Sequence, residues 1–210
     1  MWHRIRNRSA RWLPKHFLEK KFQHFAYVGD AQEHEWSIRR GNAFQTNLSS
    51  RGYHCAIYPL LTEAEKEDWV LESRRLVRWL RRLPKPVGLL AALDVRARQV
   101  LRVCFDAGIA VPNEIAVLGV DNDELLCEST YPPLSSILLE KEKSGELAAK
   151  LLDQLMHKKV PSGTIYTTGA DYLVPRYSTD ALQVTDKIII EAVEFIRANA
   201  RRGINASDVV

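Results

Sequence analysis

The segment 87–124 constrains the fold most, because it joins two long apolar runs through one amphipathic stretch. The run 87–93 is apolar at successive positions, as a strand buried on both faces of a parallel sheet requires. Apolar residues then recur at helical spacing from 97 to 104, and Gly108 is placed to end that helix. A second apolar run at 115–120 predicts another strand. Strand, helix and strand in this order predict an α/β fold with a doubly wound parallel sheet.

Each of these predicted strands is followed by an aspartate, Asp94 after the first and Asp121 after the second. Ligands of open α/β sheets bind outside the carboxyl ends of the strands, so both residues are candidates for ligand binding. Two simpler interpretations stay open. Asp94 also stands where a helix N-cap belongs, and Asp121 also suits the start of a turn.

A helix predicted after the short strand at 24–29 contains Arg40 and, one turn earlier, Trp36. The forked donors of an arginine suit two neighbouring hydroxyl groups. A tryptophan ring can stack on the apolar face of another ring, such as a pyranose. The alternatives are an arginine that only faces solvent and a tryptophan that only packs.

The net charge of +4 is unevenly distributed. Residues 1–22 hold seven basic residues and one acidic residue, which leaves residues 23–210 with a net charge of −2. Such a body lacks the charge of a nucleic-acid-binding protein, and the basic flank 1–15 stays unassigned. The three cysteines show no zinc or disulfide spacing, and no apolar run reaches the ~20 residues of a membrane helix. We therefore expect a cytoplasmic protein without metal or cofactor and without a membrane partner.

Further elements follow from hydrophobic periodicity. A strand is predicted at 53–59, a long helix at 62–82, a helix around 147–155, a final strand near 173–174 and a last helix from 186 to 203. The helix 62–82 is predicted to turn Trp69, Val70, Leu76 and Leu80 inward. Its opposite face is an arginine stripe: Arg74, Arg75, Arg78, Arg81 and Arg82. A solvated helix face explains that stripe better than nucleic-acid binding does.

Enzymatic alternatives have little support in the sequence. No GxSxG, HExxH, P-loop or GxGxxG motif occurs, so nucleophile, zinc and nucleotide chemistry have no anchor. A sugar-processing enzyme would use Asp94 and Asp121 as acid and base. A receiver-type α/β domain would need an acidic pair after its first strand and a lysine after a later one, a pattern that this sequence lacks.

Several separated segments, in order, resemble the lactose-repressor/galactose-repressor family: HFAYVGD, WSIRRGNAF, ALDVRARQVL, GIAVPNEIAVLGVDND and PPLSSI. The stretch from Val174 onward resembles the start of the arabinose-regulator-type helix-turn-helix module found in the xylose operon branch of that family. In that family a helix with the pattern Arg-x-x-Gly-Phe supplies an arginine to the ligand. Here Arg40-x-x-Ala43-Phe44 fits the pattern with alanine for glycine, so the resemblance implies Arg40 as a ligand-binding residue. Relatives also often place asparagine where Leu93 stands.

The resemblance implies a type I periplasmic-binding-protein-like effector domain, represented mostly by its C-terminal lobe. Residues 16–180 would form an incomplete sugar-binding domain, and 181–210 the first helix and start of a truncated helix-turn-helix domain. The implied ligand is a pentose, xylose-like, bound by Arg40, Asp94, Asp121 and Trp36. DNA would be bound only through the missing C-terminal module, and the full-length regulator is expected to be a homodimer rather than an enzyme.

Overall fold

A six-stranded sheet forms the centre of the chain in a computed structural model that describes residues 14–157, 166, 169–181 and 187–208. The strands are β1 (His24–Val28), β2 (Cys55–Ile57), β3 (Val87–Ala91), β4 (Ile115–Val120), β5 (Ser135–Leu139) and β6 (Ala170–Val174). Their order is β2-β1-β3-β4-β5-β6. The first five are parallel and β6 pairs antiparallel with β5. The predicted parallel α/β sheet is therefore confirmed, with an added antiparallel edge.

The helices are α1 (Lys15–Glu19), α2 (Glu35–Ser49), α3 (Glu63–Glu67), α4 (Trp69–Arg82), α5 (Asp94–Asp106), α6 (Glu124–Ser129), α7 (Lys141–Met156) and α8 (Lys187–Asn199). One buried apolar cluster contains Leu76 of α4 and Val100 of α5, and the other contains Phe17 of α1 and Phe44 of α2. Helices thus cover both faces of the sheet, which confirms the doubly wound architecture.

The sheet has one point at which the strand order reverses. The chain leaves β1 to form β2 on one side and then crosses back to form β3 on the other side. Both neighbours pair with β1 in parallel, Tyr27 lying opposite Ile57 and Val28 opposite Ala91. A crevice outside the carboxyl ends of β1 and β3 is therefore the expected ligand position of this topology.

The prediction of a single helix at 62–82 is wrong, because this segment forms two helices, α3 and α4, separated at Asp68. Asp68 has an extended backbone, and its carboxylate caps α4 by accepting from the amide of Val70 at 2.8 Å. Because the break shifts the first turn of α4 outward, Trp69 and Val70 are 38% and 56% exposed rather than inward-facing. Leu76 and Leu80 are buried as predicted.

The two C-terminal helices occur as predicted, but they pack differently from the central ones. α7 has no buried residue, and Leu152, Leu155 and Met156 on it are exposed. After α8, Gly203 adopts a left-handed φ of +71° and ends the helical stretch. The predicted helix start at residue 186 and residues 1–13 of the basic flank lie outside the described residues. No helix in the described part of the chain is both long and apolar enough to cross a membrane.

Candidate functional site

The four predicted site residues all lie at the carboxyl edge of the sheet, around the reversal of strand order. Arg40 and Trp36 belong to α2, which follows β1, while Asp94 follows β3 and Asp121 follows β4. Parallel pairing of β1, β3 and β4 brings these strand ends to one edge. The topology therefore places the candidates together, although they are separated in sequence.

Arg40 points from α2 across the end of β3, where its guanidinium donates a hydrogen bond to the carbonyl oxygen of Ala92. Burial lowers the pKa of Arg40, and the charges of Asp121 and Asp94 are near enough to oppose that shift. The guanidinium stays charged, because an arginine pKa is far above neutral. A half-buried cation thus faces two carboxylates at the strand ends.

The close approach of α2 to β1 depends on Gly41. A Cβ atom at this position would lie 2.5 Å from the ring of Tyr27, so any larger residue would push the helix away. The Tyr27 hydroxyl donates to the carbonyl oxygen of Ser37 at 2.7 Å, which fixes the same helix by a second contact. Arg40 is therefore held at the crevice by its neighbouring residue, and alanine at position 43 does not prevent this approach.

Trp36 lies at the rim of the crevice with 41% of its surface exposed. Its ring centroid is 5.2 Å from the guanidinium carbon of Arg40 and 6.0 Å from the ring of His34, which is stacked on it. His34 is held in turn by Asp30, since the Nδ1–Oδ2 distance is 2.5 Å. Stacking of a sugar on Trp36 stays a prediction, and the part of Asp30 and His34 in supporting it was not evident from the sequence.

Asp121 is half-buried and stands in a strained turn. Its φ is 111°, and that of Asn122 is 49°, a region that residues other than glycine rarely adopt. The carboxylate of Asp121 makes no hydrogen bond to any described residue, although Arg40 is near enough to lower its pKa. Burial has the larger effect and raises that pKa above the ordinary value. The carboxylate of Asp121 is thus a hydrogen-bond acceptor that faces the crevice without a donor among the described residues.

Hydrogen bonds fix three successive backbone amides of this turn. The amide of Asp121 donates to the carbonyl oxygen of Ile137 at 2.9 Å, and that of Asn122 donates to Ser136 Oγ at 3.1 Å. The amide of Asp123 donates to Asp94 Oδ2 at 2.8 Å. These bonds offset the strain of the turn and fix the direction in which Asp121 points.

Asp94 is not the N-cap that the sequence suggested as its simpler role. Leu93 occupies the cap position without a side-chain cap bond, and Asp94 is the first residue of α5. Its carboxylate is 2% exposed and also accepts from Ser136 Oγ at 2.5 Å and from the thiol of Cys127 at 3.6 Å. Burial raises the pKa of Asp94, and these donors oppose the shift. Ligand contact by Asp94 stays a prediction, but its oxygens already serve the turn that carries Asp121.

A buried ion pair supports the same edge from the other side of the sheet. Arg96 of α5 is 3% exposed and is paired with Glu72 of α4. Its Nε donates to the carbonyl oxygen of Gly29, just after β1, at 2.9 Å. The arginine therefore reaches under the end of β1. A glutamate in the middle of an amphipathic helix gives no sequence signal for such a partner.

The arrangement offers donors, an acceptor and an aromatic face, which suits a ligand with several hydroxyl groups. Asp94 and Asp121 do not form an acid–base pair for catalysis, because Asp94 is committed to hydrogen bonds below the surface. Within the described ranges, no group of three or more histidine, cysteine, aspartate or glutamate residues could hold a metal ion. Cys55, Cys104 and Cys127 are free and buried, and burial raises the pKa of each to about 12.

Comparison with known proteins agrees with this geometry. The periplasmic binding protein-like domain family matches residues 15–179. The xylose operon regulatory protein of Escherichia coli K12 is 34% identical over 198 residues, covering 93% of this chain and 50% of the relative. The corresponding protein of Haemophilus influenzae is 33% identical and is covered to 51%. A solved xylose-binding transcription activator superposes with a TM-score of 0.81 at 30% identity, covering all of this chain and 58% of that one. The chain thus spans about half the length of the curated relatives that it matches.

Proposed function

This chain belongs to the periplasmic binding protein-like domain family, and from that premise we propose that it is the sugar-sensing part of a transcriptional regulator of xylose catabolism. The relatives named above are regulators of a xylose operon, and the solved one is a xylose-binding activator. The proposed role is binding without catalysis.

One observation carries the proposal. Arg40 and Asp121 lie at the reversal of strand order, where Arg40 is half-buried and the carboxylate of Asp121 has no hydrogen-bond partner among the described residues. A neutral sugar hydroxyl both donates and accepts, so it can join an arginine donor to a carboxylate acceptor. Hydrogen bonds to charged groups are stronger than neutral ones, so hydroxyl groups held by Arg40 and Asp121 would contribute to the affinity for a pentose.

The remaining candidates have supporting roles in the proposal. Trp36 provides the apolar surface for the carbon–hydrogen face of the ring, beside the donors of Arg40. Asp94 acts one step away from the sugar, because it holds the amide of Asp123 and thereby the turn of Asp121. The family resemblance adds a second lobe closing over this edge, so that ligand binding would bias one arrangement of the lobes.

The regulator would bind DNA through a separate helix-turn-helix module, not through the sheet. In this proposal residues 16–180 belong to the sugar-binding domain and 181–210 begin the helix-turn-helix domain, with α8 as its first helix. Three buried free thiols without a disulfide are compatible with a reducing cytoplasm, which is the proposed location.

The full-length regulator is proposed to be a homodimer, and this chain offers a face for a second copy. Phe105, Leu125 and Tyr131 on or beside α5 and α6 are 63%, 87% and 78% exposed. The rings of Phe105 and Tyr131 meet edge to face at 6.1 Å, beside a groove of about 480 Å³. Arg98 and Arg102 line this groove and Arg102 is already paired with Asp106, so the apolar surface of the three exposed residues is the proposed centre of a twofold contact.

Titration of D-xylose into the 210-residue chain, followed by NMR chemical shifts, tests the proposed site. Asp121→Asn removes one charged acceptor and should weaken binding by about 10- to 100-fold, the range for losing a charged hydrogen-bond partner. Arg40→Gln should weaken it similarly. Asp153→Asn is the matched control, because the carboxylate of this exposed aspartate on α7 pairs with His157, away from the sugar site. Equal xylose affinity in wild type and Asp121→Asn would remove Asp121 from the site.

A further inference from the structure

An arginine-lined groove of about 370 Å³ lies apart from the candidate sugar site, between α4 and the loop that follows β2. Its lining consists of Pro59, Glu65, Arg75, Arg78, Trp79 and Arg82. None of these residues belongs to the sugar site. The volume is within the range of ordinary small-molecule sites, which is about 300–1,000 Å³.

The only acid in this lining is already paired. Glu65 accepts from the guanidinium of Arg75, and its carboxylate also accepts from the amide and hydroxyl of Thr62 at 2.8 and 2.9 Å. Arg75 donates in addition to the carbonyl oxygen of Leu60 at 2.9 Å. Arg75 and Glu65 therefore form a fixed, nearly neutral wall.

Arg78 and Arg82 supply the charge of the groove. They are four residues apart on α4, so their side chains leave the same face of the helix. Neither forms an ion pair with an acid anywhere in the described segments. The Nε of Arg78 donates to the carbonyl oxygen of Arg74 at 3.4 Å, which leaves its terminal nitrogens available. Two guanidinium forks side by side match the oxygens of a phosphate group.

The opposite part of the lining is apolar and rigid. The ring of Trp79 is half-buried and packs edge to face on Tyr58 with centroids 5.1 Å apart. Arg75 and Arg96 both lie over the ring of Tyr58, at 5.6 and 5.8 Å, and so hold it in place. A planar ring can lie between Trp79 and Pro59 while a charged group reaches the arginines.

We propose that this groove binds a small organic phosphate whose phosphate group lies between Arg78 and Arg82 and whose ring lies against Trp79. The groove differs from the rest of the arginine stripe, because Arg74 and Arg81 are outside its lining. Those two residues fit the solvated helix face that the sequence suggested. The concave shape and the aromatic wall distinguish the groove from that face.

Isothermal titration of the chain with adenosine monophosphate and with inorganic phosphate, at about 50 mM salt to limit screening, tests the proposal. Adenosine monophosphate should bind saturably and more tightly than inorganic phosphate, because only the nucleotide has a ring for Trp79. The double variant Arg78→Gln/Arg82→Gln should bind it at least about tenfold more weakly. The matched control Arg74→Gln/Arg81→Gln removes the same net charge from the same helix and should change the affinity less than about twofold.

Three results would overturn the proposal. The first is no saturable nucleotide binding by the wild-type chain at millimolar concentration. The second is an equal loss of affinity in both double variants, which would indicate diffuse charge attraction instead of a site. The third is binding of duplex DNA that depends on Arg78 and Arg82 when adenosine monophosphate does not bind, which would make the groove a nucleic-acid contact. Circular dichroism of both double variants confirms that the fold is retained.

Discussion

At Asp94, both carboxylate oxygens accept hydrogen bonds although the side chain is 2% exposed. The donors come from the turn after β4 and from β5, so one carboxylate joins two strand ends. Gly119 makes room for this group, since a Cβ there would lie 2.2 Å from Asp94 Oδ1. A buried charge is tolerated at this position because its hydrogen bonds replace those lost with water.

Replacing Asp94 by asparagine should destabilise the turn that presents Asp121. The amide group of asparagine has one acceptor oxygen, so the hydroxyl of Ser136 or the amide of Asp123 loses its acceptor. We expect a loss of about 1–3 kcal/mol in the free energy of unfolding, measured by urea denaturation. Hydrogen exchange at the Asp123 amide should also become faster. An Asp123 amide as protected in Asp94→Asn as in wild type would contradict the positioning role.

Individual site residues were predictable from the sequence where their position relative to a strand or a family motif identifies them. Asp121 was identified because it follows a strand that the apolar pattern defines, and Arg40 because it fits the Arg-x-x-Gly-Phe pattern of the family that the sequence resembles. The role of Asp94 was not, because its partner Ser136 is 42 residues away and its alternative as a helix cap is locally just as reasonable. Tertiary contacts decide whether such a carboxylate caps its own helix or accepts hydrogen bonds from a distant segment.

At the scale of elements, apolar patterns identified most strands and helices, but they missed β5 and the break at Asp68. Periodicity averages over a whole helix, whereas the break depends on one residue, Asp68, whose extended backbone ends α3 and whose side chain caps α4. It also missed the buried pair of Glu72 and Arg96, which joins α4 to α5 and to the end of β1. Charged residues in a helical pattern are usually exposed, so only the packing of two helices reveals such a pair.

The pair should behave as a buried unit in a double-mutant cycle. Glu72→Met or Arg96→Met alone leaves an unpaired buried charge and should cost about 3–5 kcal/mol of unfolding free energy. The double variant should cost less than the sum of the single variants by at least about 2 kcal/mol. Denaturant unfolding gives all of these values. The exposed pair Arg102–Asp106 is the control, where Asp106→Asn should cost less than about 1 kcal/mol. Additive effects of Glu72→Met and Arg96→Met would show that the two charges are not coupled.

At the scale of the whole molecule, two segments far apart in sequence meet on one side of the sheet. His16 of α1 lies with its Nε2 2.9 Å from the Oγ1 of Thr179, and Lys20 lies 3.4 Å from Asp180. Ser178, next to Thr179, donates to the carbonyl oxygen of Val117 in β4 at 2.6 Å. This contact was not predictable from the sequence, because it joins short polar segments without periodicity. It closes the described fold between its first helix and the segment after β6.

The pH dependence of stability should report on this contact. Burial, with a smaller contribution from Lys20, lowers the pKa of His16 to about 4 from its ordinary 6.5. The unfolded chain therefore binds the proton more readily, so the contribution of His16 is complete above about pH 6.5 and is lost as the pH falls towards 4. The loss is on the order of 2–3 kcal/mol. His16→Gln cannot titrate, so its stability should fall less than that of wild type between pH 7 and pH 4.5.

Comparing wild type with His16→Gln cancels the contributions of other titrating groups to the pH dependence of stability. Asp94 and Asp121 have raised pKa values, which act in the opposite direction by favouring the folded state as the pH falls. These groups are present in both wild type and His16→Gln, so the difference between the two urea-unfolding curves isolates His16. Identical pH profiles would mean that His16 is not buried in its neutral form.

We expect two copies of the chain to associate through the exposed face formed by α5 and α6. A stable dimer buries roughly 800 Å² of each partner, and Phe105, Leu125 and Tyr131 provide an apolar centre for such a contact. Light scattering after size exclusion should therefore show a dimer at roughly 100 µM that dissociates on dilution, as expected for micromolar affinity. Phe105→Ser/Leu125→Ser should shift the chain to monomer at that concentration. Leu60→Ser is the control, because Leu60 is 67% exposed elsewhere. Exposed apolar residues also lie on α7, which offers a second candidate interface. A dimer that survives Phe105→Ser/Leu125→Ser but is lost in Leu152→Ser/Leu155→Ser would place the interface on α7. A monomeric wild-type chain would exclude self-association through either face.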